Sequence, residues 1–513
     1  MVYDGSGGPP VEADVGIAGD RIALVGEGGR ADAVIEAGGL AVAPGFIDTH
    51  GHSEFSIFQE PSGEGKLLQG VTTEINGNCG LSAAPLLGEA LSQRAGDLRD
   101  VPARWSTFNE YFRLLEKRGL TLNFATLAGH GNIRGSVVGY ADRRAGADEM
   151  AEMKRLLSEA VRSGALGLST GLIYPPGVYA GEDEIAELAR AGAEAAGPAS
   201  GGAFIYASHM RSEGDRLIEA LEEALSIGRK SGLRTHISHI KTAGRENWDK
   251  AGAAVSLLEA ARAAGQQVTC DRYPYTAAST GLDAVLPPWV FADGASRELE
   301  RLRDPAARQR IKSELRGAGP GDRRWQGVRV AVVRSEENRW MEGLSVEEIA
   351  GRQGKDPVDA LMDILVAEEL MADAVLYSMS EDNLRMFLSL PYVMVGSDSA
   401  SRPLSGRGKP HPRGFGTFPR FLSGYAQGLP EGVRKVTALP AETFGLRGRG
   451  AVREGCFADL AIFDPAALRD TATYENPYSA PEGVRHVIVN GVPVVLEGEL
   501  TGRRPGRVLR HGL

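Results

Sequence analysis

Cysteine is scarce in this 513-residue sequence, which contains only Cys79, Cys270 and Cys456. So sparse and odd a set of thiols excludes a disulfide-stabilised scaffold and favours a reducing compartment. Long apolar runs are missing as well: no stretch of 18 consecutive apolar residues occurs, so no transmembrane helix is predicted. Residues 1–30 lack the apolar segment behind a basic start that marks a signal peptide. We therefore expect a cytoplasmic protein without a membrane partner.

Positive charge is not in excess. The chain has 57 Lys and Arg residues against 67 Asp and Glu residues, which gives a net charge of −10 at pH 7. Because proteins that bind phosphate backbones usually present a basic field, nucleic acid is not an expected partner. The sequence is long enough for two or three domains, at about 100–200 residues per domain.

Short apolar or β-branched segments recur along the chain, and each ends on polar residues. Between several of them, Leu, Ile and Ala follow helical spacing, as in 149–162, 182–195, 213–230 and 249–264. Strands that alternate with helices predict a parallel sheet of the α/β class, and eight of them predict a (β/α)8 TIM-like barrel. The eight predicted strand segments are 40–52, 70–80, 122–132, 165–176, 203–211, 233–241, 267–275 and 391–399.

Two parts of the chain do not follow the barrel pattern. Within the predicted barrel of residues 45–451, the gap between the seventh and eighth strands is long and holds helical stretches such as 345–368. We interpret residues 283–390 as an inserted subdomain that covers the site as a lid. Residues 1–44 and 452–513 carry short strand-like pieces, 33–39 among them, broken by Gly and Asp. We expect these two chain ends to pair into one small β domain.

Reactive side chains lie where predicted strands end. His50 and His52 flank Gly51, and because side chains at i and i+2 of a strand share a face, both imidazoles can reach one ion. Cys79 lies in a glycine-rich turn after the second strand, where it can be a thiolate ligand or a nucleophile. Asp398 follows the eighth strand and is placed for acid/base work or metal binding.

Two further histidines, His209 and His239, end the fifth and sixth strands. His236 competes with His239 on the same strand. Strand alternation places His236 on the face opposite to His239 and Lys241. We therefore expect His239 and Lys241 to point into the barrel and His236 to point away from it.

Each of these residues, taken singly, also has an ordinary structural interpretation. A lone histidine is more often a satisfied core or surface group, a buried free cysteine a small hydrophobic residue, and an aspartate after a strand a turn residue. Their convergence on one predicted face favours a shared metal ion instead. Imidazole, thiolate and carboxylate ligands with an open position for water suit zinc. The corresponding reaction class is metal-assisted hydrolysis of a C–N or C–O bond.

Longer motifs extend this pattern through almost the whole chain. They are PGFIDTHGHSE, QGVTTEINGNCGLSAAP, STGLIYPPGVYA, ASHMRSEGD, ISHIK, YPYTA, GSDS, HPRGFGTFPR and the tail FADLAIFDPAALRD. With these motifs the sequence resembles the amidohydrolase superfamily and, within it, the N-acyl-D-amino-acid deacylases (D-aminoacylases). The resemblance implies hydrolysis of the amide bond of an N-acyl-D-amino acid to a carboxylate and a free D-amino acid. The D preference comes from the resemblance, since residue spacing does not reveal handedness.

The resemblance also implies a zinc site with two positions. Cys79, His209 and His239 match the ligands of a tightly bound ion. The ligands of a second, weaker position are His50, His52 and Asp398, with Cys79 as a bridge. Asp398 is then the general base toward the attacking water and afterwards the general acid toward the leaving amine.

Four further residues match substrate-binding positions of the family. Lys241, Tyr273 and Arg413 correspond to residues that hold the substrate's carboxylate, and Tyr174 to one that contacts the scissile carbonyl oxygen. A planar guanidinium such as that of Arg413 can grip a carboxylate at two points.

Alternative interpretations remain open. A related enzyme of this family would act on N-acyl-D-aspartate, N-acyl-D-glutamate or a D-configured dipeptide, and Arg402 or Arg407 would then be cationic groups for an acidic side chain. A remote alternative is a non-catalytic barrel scaffold, against which the presence of all six ligands argues. His130 also lies at a strand end, and the sequence assigns it no role.

Overall fold

The computed structural model describes residues 1–99, 101, 103–197, 204–315 and 324–511. Its centre is a ring of eight parallel strands that correspond to the eight predicted segments. The barrel strands, first to eighth, are Phe46–Asp48, Val71–Asn76, Asn123–Thr126 with its continuation Ala128–Gly129, Gly167–Gly171, Ile205–His209, Arg234–Ile237, Val268–Arg272 and Val393–Val395. The predicted (β/α)8 fold is thus confirmed.

Backbone hydrogen bonds also join neighbouring strands of the ring where regular strand pairing is interrupted. At the third strand, the Leu127 amide donates to the Asn76 carbonyl over 2.8 Å. Just beyond the ends of the first and eighth strands, the Asp398 amide donates to the His50 carbonyl (2.8 Å) and the His52 amide donates to the Ser399 carbonyl (3.2 Å). The barrel therefore closes at its C-terminal rim, between the two segments that carry predicted ligands.

Helices surround the ring. The predicted helices 149–162, 182–195, 213–230 and 249–264 are present with shifted ends. The helices outside the insertion are Ser56–Gln59, Glu64–Leu67, Gly88–Gln93, Phe108–Arg118, His130–Val137, Ala147–Ser163, Glu182–Ala196, Leu217–Ser231, Ala251–Ala263, Glu381–Ser389, Arg413–Gly424, Leu429–Val436 and Ala438–Phe444. None of the helices in the described ranges has both the length and the hydropathy to cross a bilayer.

Strand alternation divides the barrel core into an inner and an outer layer. Ile75, Leu127, Ile205 and Met394 belong to one buried cluster inside the ring. Ile237, Val268, Cys270 and Val393 pack in a different cluster with the surrounding helices. Each fully buried aliphatic side chain of this kind contributes about 1.5–3 kcal/mol to stability. On the sixth and seventh strands, the outward direction of Ile237 and Cys270 sends their neighbours His236 and Asp271 inward.

The long segment between the seventh and eighth strands has a core of its own. It contains a three-stranded antiparallel sheet in the order Ala277–Gly281, Asp373–Tyr377, Val328–Val332. Its helices are Ala295–Arg303, Pro305–Leu315, Val346–Gln353 and Pro357–Ala367. The sheet's first strand, Ala277–Gly281, lies before residue 283, where the sequence predicts the insertion to begin. At the other end, helix Glu381–Ser389 lies within the predicted insertion 283–390 but packs on the last barrel strand.

The predicted helical stretch 345–368 is two helices. Ser345 and Glu348 form a capping box at the first helix, which ends at Gly354 with a left-handed φ of 65°. Asp356 then caps the second helix through the Val358 amide, and Pro357 occupies its first position. Glycine and proline therefore break a continuous apolar periodicity that spans both helices.

Both chain ends contribute to a five-stranded antiparallel sheet beside the barrel. Its order is Glu499–Leu500, Val492–Leu496, Val484–Val489, Leu460–Phe463, Ala41–Pro44. Strands Asp14–Ala18 and Arg21–Gly26 form a separate hairpin. The expectation that 33–39 is strand-like is wrong: this segment is irregular, and its Val34 is 71% exposed.

Candidate active site

The six predicted ligands lie together at the C-terminal rim of the barrel. His50 and His52 follow the first strand, and Cys79 follows the second. His209 is the last residue of the fifth strand, and His239 lies two residues beyond the sixth. Asp398 comes three residues after the eighth strand. In barrels of this type the C-terminal rim is the place where catalytic groups from different strands meet.

Their donor atoms form two overlapping groups, each lying within 4.8 Å. One group is His50, His52, Cys79 and Asp398, and the other is Cys79, His209 and His239. The Cys79 sulfur lies 3.2 Å from His50 Nε2 and 3.4 Å from His239 Nε2. Cys79 therefore belongs to both groups, at the junction where a bridging ligand would lie.

Three of these residues have an uncommon backbone conformation. The φ angles of Cys79 (54°), His239 (36°) and Asp398 (50°) are left-handed, a conformation that costs a non-glycine residue about 1–3 kcal/mol. Local hydrogen bonds hold it in place. The His239 amide donates to Asp271 Oδ1 over 2.7 Å, and the Asp398 amide donates to the His50 carbonyl. Such strain is typical of sites where side chains must be aimed at one point.

The electrostatics of the site favour a cation. Burial raises the pKa of the Cys79 thiol, but His50, His239 and His209 outweigh burial and hold that pKa well below its usual range. Burial likewise raises the pKa of Asp398, and Arg413 and His50 lower it well below its usual value. These surroundings therefore favour the ionised forms of the thiol and the carboxyl. In turn, Asp398 and Cys79 overcome the effect of burial and raise the pKa of His52 to about 10.

His209 gives an independent indication that the site fits a metal. Its imidazole is buried, and neither ring nitrogen has a hydrogen-bond partner in the described part of the chain. Leaving a buried polar atom unpaired costs about 1–3 kcal/mol. A metal ion shared with Cys79 and His239 would satisfy one of these nitrogens, and thiolate with imidazole is a ligand set suited to zinc.

Two buried carboxylates support the histidines from behind. Asp271 Oδ2 accepts a hydrogen bond from His50 Nδ1 (3.0 Å), and Glu213 Oε1 lies 2.9 Å from His239 Nδ1. Such carboxylates fix the tautomer and orientation of metal-binding imidazoles. The sequence interpretation missed both residues. The inward direction of Asp271 could have been found from alternation along the seventh strand. Glu213 falls at the start of the predicted helix 213–230, but the helix begins at Leu217 and Glu213 lies in the loop before it.

The expectation for His236 is wrong. His236 points into the barrel, where its Nε2 lies 2.8 Å from Asp271 Oδ2. Alternation applies only while a strand continues, and this strand ends at Ile237. The left-handed turn at His239 then brings that side chain inward too, so both histidines reach one interior network.

Lys66 lies at the centre of a second buried network beneath the rim. Its ammonium donates to Asp48 Oδ2 (2.6 Å), Ser397 Oγ (2.8 Å) and the Ser399 carbonyl (2.9 Å), and it lies 2.9 Å from Glu74. Burial lowers the pKa of Lys66, but Asp48 and Glu74 raise it above its usual value. The network ties the segment that carries His50 and His52 to the segment that carries Asp398.

Three of the predicted substrate residues border the ligand groups. Arg413 Nη1 donates to Asp398 Oδ2 over 2.6 Å, and its guanidinium lies 4.7 Å from the Tyr273 ring centroid. The Tyr273 hydroxyl is buried and has no hydrogen-bond partner among the described residues. The Tyr174 ring packs edge-on against His209, and its hydroxyl lies 3.2 Å from Thr280 Oγ1 in the insertion.

The other predicted residues differ in their surroundings. The Lys241 ammonium donates to Glu213 Oε1 (2.5 Å) and lies 2.8 Å from His239 Nδ1, so it is engaged behind the ligands. Arg407 is largely exposed and lies 3.7 Å from Glu336. His130 lies 3.0 Å from Glu184 Oε1 and outside both ligand groups.

A closed parallel barrel with a thiolate, imidazoles and a carboxylate at its C-terminal rim defines the class of metal-dependent barrel hydrolases. Comparison with known proteins agrees with this class. A sequence-family model with the description "Amidohydrolase family" matches residues 33–495. The chain belongs to this amidohydrolase family.

Well-characterised relatives cover nearly the whole chain. A D-aminoacylase of Alcaligenes xylosoxydans xylosoxydans is 36% identical over 99% of this chain and 96% of that protein. An N-acyl-D-glutamate deacylase of the same organism is also 36% identical, over 99% of this chain and 95% of its own length.

Solved structures give the same relationship. A D-aminoacylase crystal structure superimposes with a TM-score of 0.82 at 34% identity, over 99% of this chain and 98% of the other. The N-acyl-D-glutamate deacylase of Bordetella bronchiseptica, complexed with zinc and a phosphonate inhibitor, gives a TM-score of 0.83 at 33% identity and the same coverage. A further D-aminoacylase study describes a binuclear metal centre with one-metal activation and second-metal attenuation.

Proposed function

We propose that this protein is a zinc-dependent N-acyl-D-amino-acid deacylase. The observation that carries the proposal is the convergence of Cys79, His209 and His239 within 4.8 Å of one another, beside the group that contains Asp398. Relatives at 36% identity that act on N-acyl-D-amino acids support the substrate class and its handedness.

Zinc is the metal that these residues fit. Cys79, His209 and His239 would hold the tightly bound ion, and His50, His52 and Asp398 would form the weaker position, with Cys79 common to both. A zinc ion in such a site lowers the pKa of a water molecule to about 7 and polarises a carbonyl group.

Asp398 would perform the proton transfers. Its ionised carboxylate takes a proton from the water that attacks the acyl carbon, and it then delivers that proton to the nitrogen as the C–N bond breaks. The water oxygen is retained in the released carboxylate, and the amino acid leaves as the free amine. Arg413, 2.6 Å from Asp398, keeps the carboxylate ionised and oriented.

Arg413 and Tyr273 would bind the carboxylate of the amino-acid part. The buried Tyr273 hydroxyl is unpaired among the described residues, and the guanidinium of Arg413 lies over its ring. Lys241, 6.0 Å from the same ring, adds positive charge behind them. Tyr174 would contact the scissile carbonyl oxygen from beside His209. A fixed cation determines which face of the α-carbon meets the attacking water.

The two candidate substrate classes differ in the charge of the amino-acid side chain. Arg407 is largely exposed and lies near Glu336. Arg402 is partly buried and acts on Asp373 only at electrostatic range. Arg402 would be the cationic group for an acidic side chain. N-acyl-D-aspartate and N-acyl-D-glutamate are therefore the second candidate substrates, supported by the identity to deacylases for those compounds.

Metal analysis combined with a hydrolysis screen tests the proposal. Purified protein is assayed against N-acetyl derivatives of both hands of Met, Leu, Phe, Glu, Asp and Lys, with zinc measured in the same preparation. We expect bound zinc and turnover of the D forms, and the side chain that is hydrolysed fastest distinguishes the two candidate substrate classes. Preference for the L forms would refute the substrate assignment, and protein without zinc or turnover would support the scaffold alternative.

A further inference from the structure

Asp271 lies inside the barrel, directly beneath the ligand groups, and three histidines share its carboxylate. Its Oδ2 accepts from His50 Nδ1 (3.0 Å) and from His236 Nε2 (2.8 Å). Its Oδ1 accepts from the backbone amide of His239 (2.7 Å). All four side chains are at most 2% exposed, so water does not compete for these hydrogen bonds.

We propose that Asp271, held in place by His236, is the positioning residue that couples the two metal positions, each through a different carboxylate oxygen. The proposal rests on the two-position zinc site proposed above. His50 belongs to the group with His52 and Asp398, whereas His239 belongs to the group with His209. Asp271 therefore contacts one ligand of each position and neither group contains it.

Oδ2 sets the tautomer of His50. An ionised carboxylate only accepts hydrogen bonds, so His50 Nδ1 must carry the proton. The other ring nitrogen, Nε2, is then left as a lone-pair donor, and it is the atom that lies 3.2 Å from the Cys79 sulfur. Loss of a carboxylate partner of this kind typically weakens metal binding by about 10–100-fold.

Oδ1 acts on the other position through the backbone. His239 has a left-handed φ of 36°, and without that turn the end of the sixth strand would direct its side chain away from the barrel interior. The hydrogen bond from its amide to Oδ1 stabilises this turn. Asp271 thereby keeps the His239 imidazole beside Cys79 and His209.

His236 fixes the orientation of the carboxylate. Its Nδ1 lies 2.9 Å from Thr269 Oγ1 and its ring packs edge-on against Phe444, so Nε2 is directed at Asp271 Oδ2. With a partner on each oxygen, the carboxylate does not rotate about its χ2 bond without breaking a buried hydrogen bond. His236 thus contributes to the site without belonging to either ligand group.

The isosteric variant Asp271→Asn separates the two effects. An amide oxygen in the Oδ1 position still accepts from the His239 amide, but the amide NH2 in the Oδ2 position no longer accepts from His50. Zinc binding is titrated without substrate, with a chelating dye as competitor, for both the parent and the variant. We expect two binding steps in the parent. In Asp271→Asn the weaker step should lose at least tenfold in affinity and the tighter step less than threefold, whereas Asp271→Ala should weaken both.

Several results would overturn the proposal. They are unchanged affinities in both variants, equal weakening of the two steps in Asp271→Asn, and a parent that shows a single step. Because zinc binding is measured without turnover, these outcomes are distinct from a failure of the deacylase assignment. A protein that hydrolyses none of the N-acyl amino acids could still show the two steps and their selective loss.

His236 variants supply a second route that does not alter the carboxylate. His236→Gln keeps an N–H donor and should retain the weaker step within threefold, whereas His236→Leu should lose about tenfold. His486→Leu is the matched control, because His486 is 3% exposed but lies in the small sheet, away from the ligands. If His236→Leu and His486→Leu give the same zinc affinities, the positioning role of His236 is wrong.

Discussion

Arg413 Nη1 and Asp398 Oδ2 form a 2.6 Å ion pair at the open end of the barrel, and both side chains are nearly inaccessible to solvent. The pair joins the proposed proton carrier to the proposed carboxylate-binding cation. In the proposed mechanism, this one contact links substrate binding to proton transfer.

Replacing the proton carrier should abolish turnover without emptying the site. In Asp398→Asn the side chain keeps its shape but no longer takes a proton, whereas Cys79, His209 and His239 remain. We expect the tightly bound zinc to stay at the parent's level and kcat to fall by at least about 100-fold, in line with the size of general acid–base effects. Zinc analysis and steady-state kinetics measure the two quantities.

Asp373→Asn is the control for this variant, because Asp373 also lies near Arg413 but belongs to neither ligand group. Its kcat should stay within threefold of the parent value. Turnover by Asp398→Asn at the parent rate would exclude Asp398 as the proton carrier.

Removing His209 should release the tightly bound metal. His209→Ala leaves Cys79 and His239 as an incomplete pair of ligands at that position, and a tetrahedral zinc site needs more protein donors to bind tightly. We expect His209→Ala to retain less than a tenth of the parent's zinc after gel filtration. His130→Ala is the control, because His130 is another histidine at the rim and its replacement should leave the zinc bound. Near-normal zinc in His209→Ala would show that His209 is not a ligand.

Truncating Lys66 should destabilise the barrel. Lys66→Met leaves Asp48 and Glu74 buried without their shared cation, and breaking a buried ion pair from one side costs about 3–5 kcal/mol. Lys154→Met is the matched control, because Lys154 forms a partly exposed pair with Glu187 worth at most about 1 kcal/mol. Urea unfolding of the metal-free proteins compares them, and equal midpoints for the two variants would contradict this role.

Glu298, which lies in the insertion, should make the free energy of unfolding depend on pH. Burial, reinforced by Asp283, raises the pKa of this 4%-exposed carboxyl to about 9, against 4.5 in the unfolded chain. Between those values the folded protein keeps a proton that the unfolded chain releases. The contribution of Glu298 to the free energy of unfolding therefore falls as pH rises, by about 1.4 kcal/mol per pH unit.

Glu298→Gln removes this dependence because the amide does not ionise. Its free energy of unfolding should exceed that of the parent, and the difference should grow between pH 5 and pH 8. Glu300→Gln on the same helix, where the side chain is exposed, should follow the parent at each pH. Parallel curves for the parent and Glu298→Gln would mean that Glu298 is ionised in the folded protein.

Much of the fold could be predicted because periodicity reflects burial. The segments around Ile75, Ile205 and Val393 are apolar since each lies inside or against the ring, and the helices between them carry one apolar face. The insertion's sheet could not be predicted in this way. Its strand Ala277–Gly281 is half-buried and weakly apolar, and it pairs with Asp373–Tyr377, far along the chain.

The ligand residues were recognisable because each lies at or just after the end of a strand. There the residue type indicates a metal ligand, and the position indicates the C-terminal rim of the barrel. Support from Glu213 was not recognisable, since helical spacing placed it in the predicted helix 213–230, whereas it lies in the loop before Leu217–Ser231. Alternation does not predict the direction of His236, because the strand ends at Ile237 and a left-handed turn follows at His239. The roles assigned to Lys241, Tyr174 and Tyr273 remain proposals.

The pairing of Ala41–Pro44 with Leu460–Phe463 has a consequence for biosynthesis. During translation Ala41–Pro44 leaves the ribosome long before Leu460–Phe463, because about 400 residues separate the two strands. At about 5–20 residues per second, that wait lasts on the order of tens of seconds. Until Leu460–Phe463 arrives, the nascent chain therefore carries an unpaired apolar strand edge that is exposed to aggregation.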